Sequence, residues 1–469
     1  MTVPAARHVG IGWRPELAAD LLRRPPAGPE FIEVVAENCF VSPAAWREAA
    51  ALRALWPVVP HGVKLSLGSA EGIDRAHASR LGRLARELRA PLISEHVAYV
   101  RSGGVEVGHL TPVPRSREAV RVIARNVARA RRELPDVPLL LENIACTLQW
   151  PARPGDLADE GLFHHDVARA TGCGLLLDLG NLLANARNAG VDPLAALDAF
   201  PLGDVAMIHV AGGRDIDGYW FDTHADPLGE PIYRMLAAVF TRVGPRPTLL
   251  ERDAEFPPIA ALLAELDRCR QVARAAEARE APAPSPTDIT PVDADELAAR
   301  TRLAGPRTDE FAALASAQTR LAALLTDHGP APAAGITAAD LTRTRAVLQR
   351  KRVDEALPLL PRTARHGSAA ALAERALAGR PRAASLPGIA DAWTIAAAAR
   401  DEPALADGAS VDHLVLRARF VGPDAAGGFH PRSAPYVGHT TLSRGGTVWI
   451  FKGPGAGAGV HLREPRGHR

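Results

Sequence analysis

The chain carries 469 residues, more than one hydrophobic core ordinarily takes, so two domains are expected. Hydrophobic residues make up 47% and charged residues 23%, the balance of a soluble globular protein. The formal net charge is only +2, and lysine occurs only at Lys64, Lys351 and Lys452; the other basic residues are arginines scattered through alanine-rich stretches, with no basic stripe interleaved with aromatics, so nucleic acid is not an expected partner.

No charged region followed by an apolar run opens the chain, and no uninterrupted apolar stretch reaches membrane length. A cytoplasmic protein without a membrane partner is therefore expected. The first ~270 residues alternate short apolar runs with amphipathic helical stretches. The runs predict strands at His8–Gly12, Phe31–Glu37, Gly62–Leu67, Pro91–Val100, Pro138–Ile144, Gly174–Leu179, Val205–Ala211 and Pro247–Asp253. Parallel strands are covered on both faces and read as continuous apolar runs, so this order fits a closed (β/α)8 barrel. An open doubly wound sheet fits less well, because the first strand–helix turn lacks a G-x-G-x-x-G loop.

The barrel is expected to end at residue 274. Ala275–Asp293 is rich in Pro and Ala without apolar periodicity, and reads as a linker. Residues 294–469 read as a smaller α+β module. Its predicted helices cover Phe311 to Leu325, Ala339–Arg350 and Ala369–Leu377, and its predicted strands are Asp412–Phe420 and Thr447–Lys452. The glycine-rich Gly453–Gly459 reads as a flexible turn, since neither Lys-Ser/Thr nor a helix follows it.

Polar residues fall where the barrel runs end, which is where such barrels keep their chemistry. These are Glu37 and Asn38, Glu95 and His96, Glu142 and Asn143, Asp178 with Asn181, His209, and Glu251 with Asp253. His61 opens the third predicted strand, at a bulge that turns it inward, and the loop after the seventh supplies Asp222 and His224. Taken singly, a histidine in an apolar run is a core residue and a carboxylate at a strand end is a helix cap. Four histidines and four carboxylates converging on one barrel mouth call instead for a cation to neutralise them. The mixed imidazole and carboxylate set argues against thiolate zinc and against an all-oxygen cage, leaving zinc, manganese and iron open. The four cysteines Cys39, Cys146, Cys173 and Cys269 show no C-x-x-C spacing, so neither a disulfide framework nor a structural zinc site is expected, and Cys39 reads as packed.

These motifs, in order, resemble the multinuclear non-haem iron-dependent oxidative enzymes. This is the methanobactin-maturase-like group, also known as uncharacterised protein family 0276 or domain of unknown function 692. The matching pieces are GIGWRPE, IEVVAENCF, HGVKLSLG, SEHVAYV, LTPVPRSREAV, LLLENI, LLLDLGNL, IHVAGG, FDTHADP and LLERDAEFPPIAALL. The resemblance implies a xylose-isomerase-like barrel holding two or three irons, and oxygen-dependent chemistry at a cysteine of a ribosomally made precursor peptide. By position it implies that His61, His96 and Glu142 hold one iron. Glu142 would bridge to a second held by Asp178, His209 and Glu251, and Asp222 and His224 would hold a third. It makes Glu142, Asp178, His209 and Glu251 the catalytic set. Asn38, Asn143, Asn181 and Arg252 become candidates for substrate contacts. Where many relatives read Glu-Trp-Asp this chain has Glu251-Arg252-Asp253, which would put a cation near the cluster.

Enzymes of this group commonly work with a small partner protein that grips the peptide. The C-terminal module reads as such a partner fused in cis, or as a stabilising appendage, and an exposed edge near Thr447–Lys452 would pair with an extended peptide. The rival reading is a divalent-metal sugar isomerase or an apurinic-endonuclease-like phosphodiesterase on the same barrel, and a metal-dependent scaffold is a third.

Overall fold

The computed structural model describes residues 4–5, 8–41, 43–157, 159–278, 308–327, 336–383, 386–424, 429–443, 445–455 and 457–464. The predicted linker lies almost wholly outside them; of it only the start is described, and Ala275–Glu277 completes the helix Ile259–Glu277.

The apolar runs form strands β1 (Val9–Gly12), β2 (Phe31–Val35), β3 (Val58–Gly62) and β4 (Ile93–His96). A hairpin of β5 (Tyr99–Ser102) and β6 (Val105–Thr111) follows, then β7 (Leu139–Glu142), β8 (Gly174–Asp178) and β9 (Val205–Val210). A second hairpin, β10 (Gly212–Ile216) and β11 (Tyr219–Asp226), precedes β12 (Thr248–Leu250). The parallel strands close in the order β1-β12-β9-β8-β7-β4-β3-β2, the eight-stranded α/β barrel that the sequence predicts. Helices between them start on side-chain caps: Asp74 accepts from Ala76 N, Ser116 from Ala119 N, and Asp159 from Leu162 N.

Several boundaries differ from expectation: the run Pro91–Val100 is divided between β4 and β5, the run Pro247–Asp253 stops at Leu250 so that Glu251 and Asp253 lie past β12, and two further strands shift. The third strand is Val58–Gly62 rather than Gly62–Leu67, so His61 lies within it and no bulge is needed. The prolines flanking that run read as turn signals, yet Pro60 lies ahead of the β3–β4 ladder, which begins at His61 opposite Ser94. The second strand stops at Val35, and Glu37 and Asn38 sit in a short helix, Ala36–Phe40.

Phe31, Val59, Leu92, Leu140, Leu176, Ala206, Met207 and Leu249 form one buried cluster drawn from six barrel strands and the residue just ahead of β4. Gly10 leaves room for it, since a Cβ there would stand 2.6 Å from the Phe31 ring. Side chains two residues apart on a strand share a face. One step beyond the apolar layer therefore come Glu33, His61, Ser94, Glu142, Asp178, His209 and Glu251.

Two compact units divide the chain, the first comprising 1–100 and 110–316, the second 101–109 and 317–469. Among described residues the second unit contains the C-terminal part of the helix Thr308–Asp327 and the helices Ala338–Ala356, Ala369–Leu377, Pro387–Ala399 and Ala406–Arg419. Two short paired strands follow, β13 (Phe420–Val421) and β14 (His430–Pro431). An antiparallel sheet of β15 (Tyr436–Thr441), β16 (Thr447–Lys452) and β17 (Val460–Arg463) completes it. Asp412–Phe420, predicted as a strand, is mostly helix. That helix buries two stripes: Ala409 and Leu416 pack into the helical core, Leu414 and Ala418 against Ile450 of the sheet. Covering two faces gives a near-alternating pattern that mimics a strand. The predicted free edge at Thr447–Lys452 is also corrected, since β16 is central and paired on both sides.

Candidate metal centre

The polar layer of the barrel converges from seven strand ends, and β11 adds Asp222 and His224. Glu142 sits at its middle. Its Oε2 lies 3.4 Å from His96 Nε2 and 3.6 Å from His61 Nε2, and its Oε1 lies 3.5 Å from His209 Nδ1. Glu251 Oε1 is 3.5 Å from the same His209 nitrogen, and its Oε2 is 3.4 Å from His224 Nδ1. Three groups bring their ligand atoms within 4.8 Å of one another: His61–His96–Glu142, Glu142–Asp178–His209–Glu251, and Glu33–His61–Glu251. Asp222 and His224 pair with each other at 2.5 Å but belong to none of these groups. His224 adopts a left-handed backbone (φ 51°), a conformation that non-glycine residues hold only when their surroundings impose it.

The far nitrogen of each imidazole is fixed. His61 Nδ1 meets Ser94 Oγ at 2.8 Å, His96 Nδ1 donates to the Gly62 carbonyl at 3.1 Å, and His209 Nε2 donates to Glu33 Oε2 at 3.1 Å. The bonds to the Gly62 carbonyl and to Glu33 set the tautomers of His96 and His209, the Ser94 hydroxyl orients the His61 ring, and His61 Nε2, His96 Nε2 and His209 Nδ1 face inward. Gly62 allows the close approach, because a Cβ there would stand 2.6 Å from Glu95 Oε2.

The electrostatics call for a cation. Burial and the neighbouring carboxylates Asp222, Glu142 and Glu251 push Asp178 well above the usual carboxylate range. Burial disfavours charge on His209, yet Glu33, Glu251 and Glu142 hold its proton affinity well above normal. Burial likewise opposes a charged His96, but Glu142 and Glu95 raise it to about 9. Among the described residues, Glu142 Oε2, Asp178 Oδ2, His209 Nδ1 and Asp222 Oδ1 are buried with no hydrogen-bond partner. Buried polar atoms normally find partners, so orphans gathered at one mouth fit the donor set of bound metal.

The remaining sequence-predicted residues are placed differently. Asn143 spends both ends of its amide on the Asp178 backbone, at 2.9 and 3.0 Å, locking β7 to β8. Asn181 accepts from Ala145 N and donates to the Asn143 carbonyl, while its own N–H donates to Asp178 Oδ1. Asn38 is exposed on its short helix. Glu37 accepts from the Val63 and Lys64 amides and pairs with His77 at 2.8 Å. Glu95 accepts from Leu65 N and His96 N. Arg252 is buried, with its guanidinium donating to Glu265 and the Ala225 carbonyl. The cation beside the cluster is instead Arg14, bonded to Asp253, which also faces His224 Nδ1 at 3.3 Å. Cys39 is packed, and burial together with Glu37 pushes its thiol up to about 12.

Sequence reasoning passed over Glu33, Ser94 and Arg14. A signal for the first two was available: each stands two residues after an inward apolar residue, Phe31 or Leu92, so strand alternation places it in the polar layer.

The family model for the RiPP precursor modification enzymes MbnB/TglH/ChrH matches residues 8–274, and the chain belongs to this family. A UPF0276 protein of Streptomyces avermitilis is 44% identical over 279 residues, covering 58% of this chain and 56% of its own length. The chain thus spans little more than half of that relative. A UPF0276 protein of Chromobacterium violaceum is 36% identical over 58% of this chain and 96% of its own. Among solved structures, endonuclease IV from Thermus thermophilus matches at 19% identity with a TM-score of 0.35, covering 58% of this chain and 100% of that one. A xylose isomerase-like TIM barrel protein from Mycobacterium smegmatis in complex with magnesium matches at 16% with a TM-score of 0.40, covering 58% and 99%. Among the described residues no helix is long and apolar enough to cross a membrane.

Proposed function

We propose that the barrel is an iron-dependent oxidative enzyme that modifies a cysteine residue of a ribosomally synthesised precursor peptide. The observation that carries the reading is the set of orphaned, inward-facing donor atoms on Glu142, Asp178, His209 and Asp222, in a chain of the precursor-modifying family. His61, His96 and Glu142 would hold one iron; Glu142, Asp178, His209 and Glu251 a second; Asp222 and His224 a third. When bound, iron would supply open coordination positions for a soft thiolate donor and pass electrons to dioxygen, the oxidant in the reaction.

The residues of the chain do the rest. Glu33 holds the His209 ring in the ligating tautomer, and Ser94 orients the His61 ring. Asn143 and Asn181 fix the end of β8 so that Asp178 faces inward. Arg14 anchors Asp253 beside His224. Among the described residues no cysteine of the chain belongs to the convergent donor groups, and burial raises the thiols of Cys39, Cys146, Cys173 and Cys269. The second unit is proposed to hold the peptide; the outer strands of its sheet are β15 and β17, where a main-chain strand would add.

The test is metal content after anaerobic preparation, together with the mass of a cysteine-bearing peptide incubated with dioxygen and a reductant. Two to three irons and an oxygen-dependent mass change that a Cys→Ser peptide does not undergo are expected. Full zinc or manganese occupancy in active protein, or modification under strict anaerobiosis, would replace this reading with a divalent-metal isomerase or phosphodiesterase.

A further inference from the structure

The motif LTPVPRSREAV, residues Leu110–Val120, supplies no ligand to the centre, yet Pro112, Val113 and Arg115 from it wall a cavity of about 160 Å³. We propose that this cavity is a specificity subsite for an aromatic or branched aliphatic side chain of the peptide, close in sequence to the reacting cysteine. The inference rests on the peptide-modifying reading above and adds which neighbouring residue the enzyme selects.

Size, lining and position support it. A cavity of roughly 150 Å³ is large enough for a benzene ring, and this one has apolar walls over part of its surface and polar groups over the rest. The walls include Val97, Val113, Ile144, Leu148 and Phe163, all buried. They are tied to the metal-binding strand ends: Val97 directly follows His96 and donates its N–H to the Glu142 carbonyl at 2.9 Å, and Ile144 lies two residues past Glu142. The walls are also preformed. Trp150 Nε1 donates to the Pro112 carbonyl at 2.6 Å. The Cys146 backbone is clamped from both sides, by Asn185 Oδ1 on its N–H and the Tyr219 hydroxyl on its carbonyl, each at 2.8 Å. Little ordering entropy remains to be lost when a side chain enters.

Part of the lining is polar: Arg115 lies 3.7 Å from Glu160, whose carboxylate accepts from Asn185 Nδ2 at 3.0 Å, and Gln149, Asp156 and His164 also line the cavity. These groups offer donors and acceptors to a peptide backbone amide. An acidic side chain would lose its hydration against the apolar walls, and a small one leaves them uncovered. Full burial of a Leu or Phe side chain corresponds to about a tenfold to hundredfold preference over Ala.

The full-length protein is titrated with N-acetyl-phenylalanine amide, N-acetyl-leucine amide, N-acetyl-alanine amide and N-acetyl-aspartate amide, with binding followed by ligand-observed NMR. The first two should bind at least tenfold more tightly than the others. Leu148→Trp, which fills the cavity, should abolish their binding without changing metal content; Ile144→Phe serves should that variant fail to fold. Precursor peptides are then substituted by Ala at each position flanking the cysteine. At one apolar position KM should rise about tenfold or more for the wild type, and far less for the filled variant. Equal binding of all four probes, or undiminished binding to both filled variants, overturns the subsite. Selective probe binding with no oxygen-dependent change in any peptide upholds the ligand class of the cavity and overturns the proposed reaction. Modification of peptides without side-chain preference or probe binding overturns the subsite alone.

Discussion

Replacing Glu142 with Ala removes the carboxylate that three imidazoles face, at 3.4 Å from His96, 3.6 Å from His61 and 3.5 Å from His209. Glu142 belongs to two of the three convergent donor groups, so its loss breaks both metal sites that the proposed assignment gives it. Asp222 belongs to none, and Asp222→Ala should lower the metal count by one at most. The magnitude follows from linkage. A site loaded at a hundredfold excess over its Kd stabilises the folded state by about 2.7 kcal/mol. Two such sites give about 5 kcal/mol, and a domain of this size shifts about 2–4 °C in Tm per kcal/mol, so loading the wild type should raise Tm on the order of 10–20 °C. Glu142→Ala should show almost none of that gain. The assays are metal analysis of anaerobically prepared protein and scanning calorimetry before and after iron addition. A Glu142→Ala protein with wild-type metal content and a wild-type gain in Tm would refute the assignment of β7 as the bridge.

Two further perturbations test the surroundings of the centre. Glu33→Gln leaves the His209 ring without its carboxylate acceptor at 3.1 Å, and should weaken metal affinity about 10- to 100-fold with the fold intact, as read by competition with a chelator. Glu160 tests the cavity: burial raises it from its ordinary 4.5 to about 7, against relief from Arg115 and Asn185. Because the folded value is the higher one, its contribution to stability is full below pH 4.5 and is lost as pH rises through about 7. Glu160→Gln should therefore stabilise the protein at pH 8 by roughly 3 kcal/mol and change little at pH 4.5, as measured by denaturant unfolding. An equal effect at both pH values would mean that the carboxyl is not held neutral by burial.

The apolar runs by themselves determined the barrel, because a strand covered on both faces has to be continuously hydrophobic wherever the fold places it. Most of the runs also ended in the histidines and carboxylates that converge, since such barrels keep their chemistry at the C-terminal strand ends. His96, Glu142, Asp178, His209 and Glu251 were legible for that reason, whereas His61 was placed at the start of its strand and only the structure put it near the end of Val58–Gly62. Tertiary structure decided what each remaining polar residue faces. Glu33 lay inside a run and showed its role only once His209, 176 positions away, was brought within 3.1 Å. Arg252 adjoins Glu251 in sequence yet, just past the end of β12, faces Glu265 and the Ala225 carbonyl rather than the cluster. Arg14 came to the centre through Asp253, 239 residues distant. The helix Ala406–Arg419 looked like a strand because a local pattern records that two faces are buried, not which neighbours bury them. Here the neighbours are a helical core on one side and a sheet on the other.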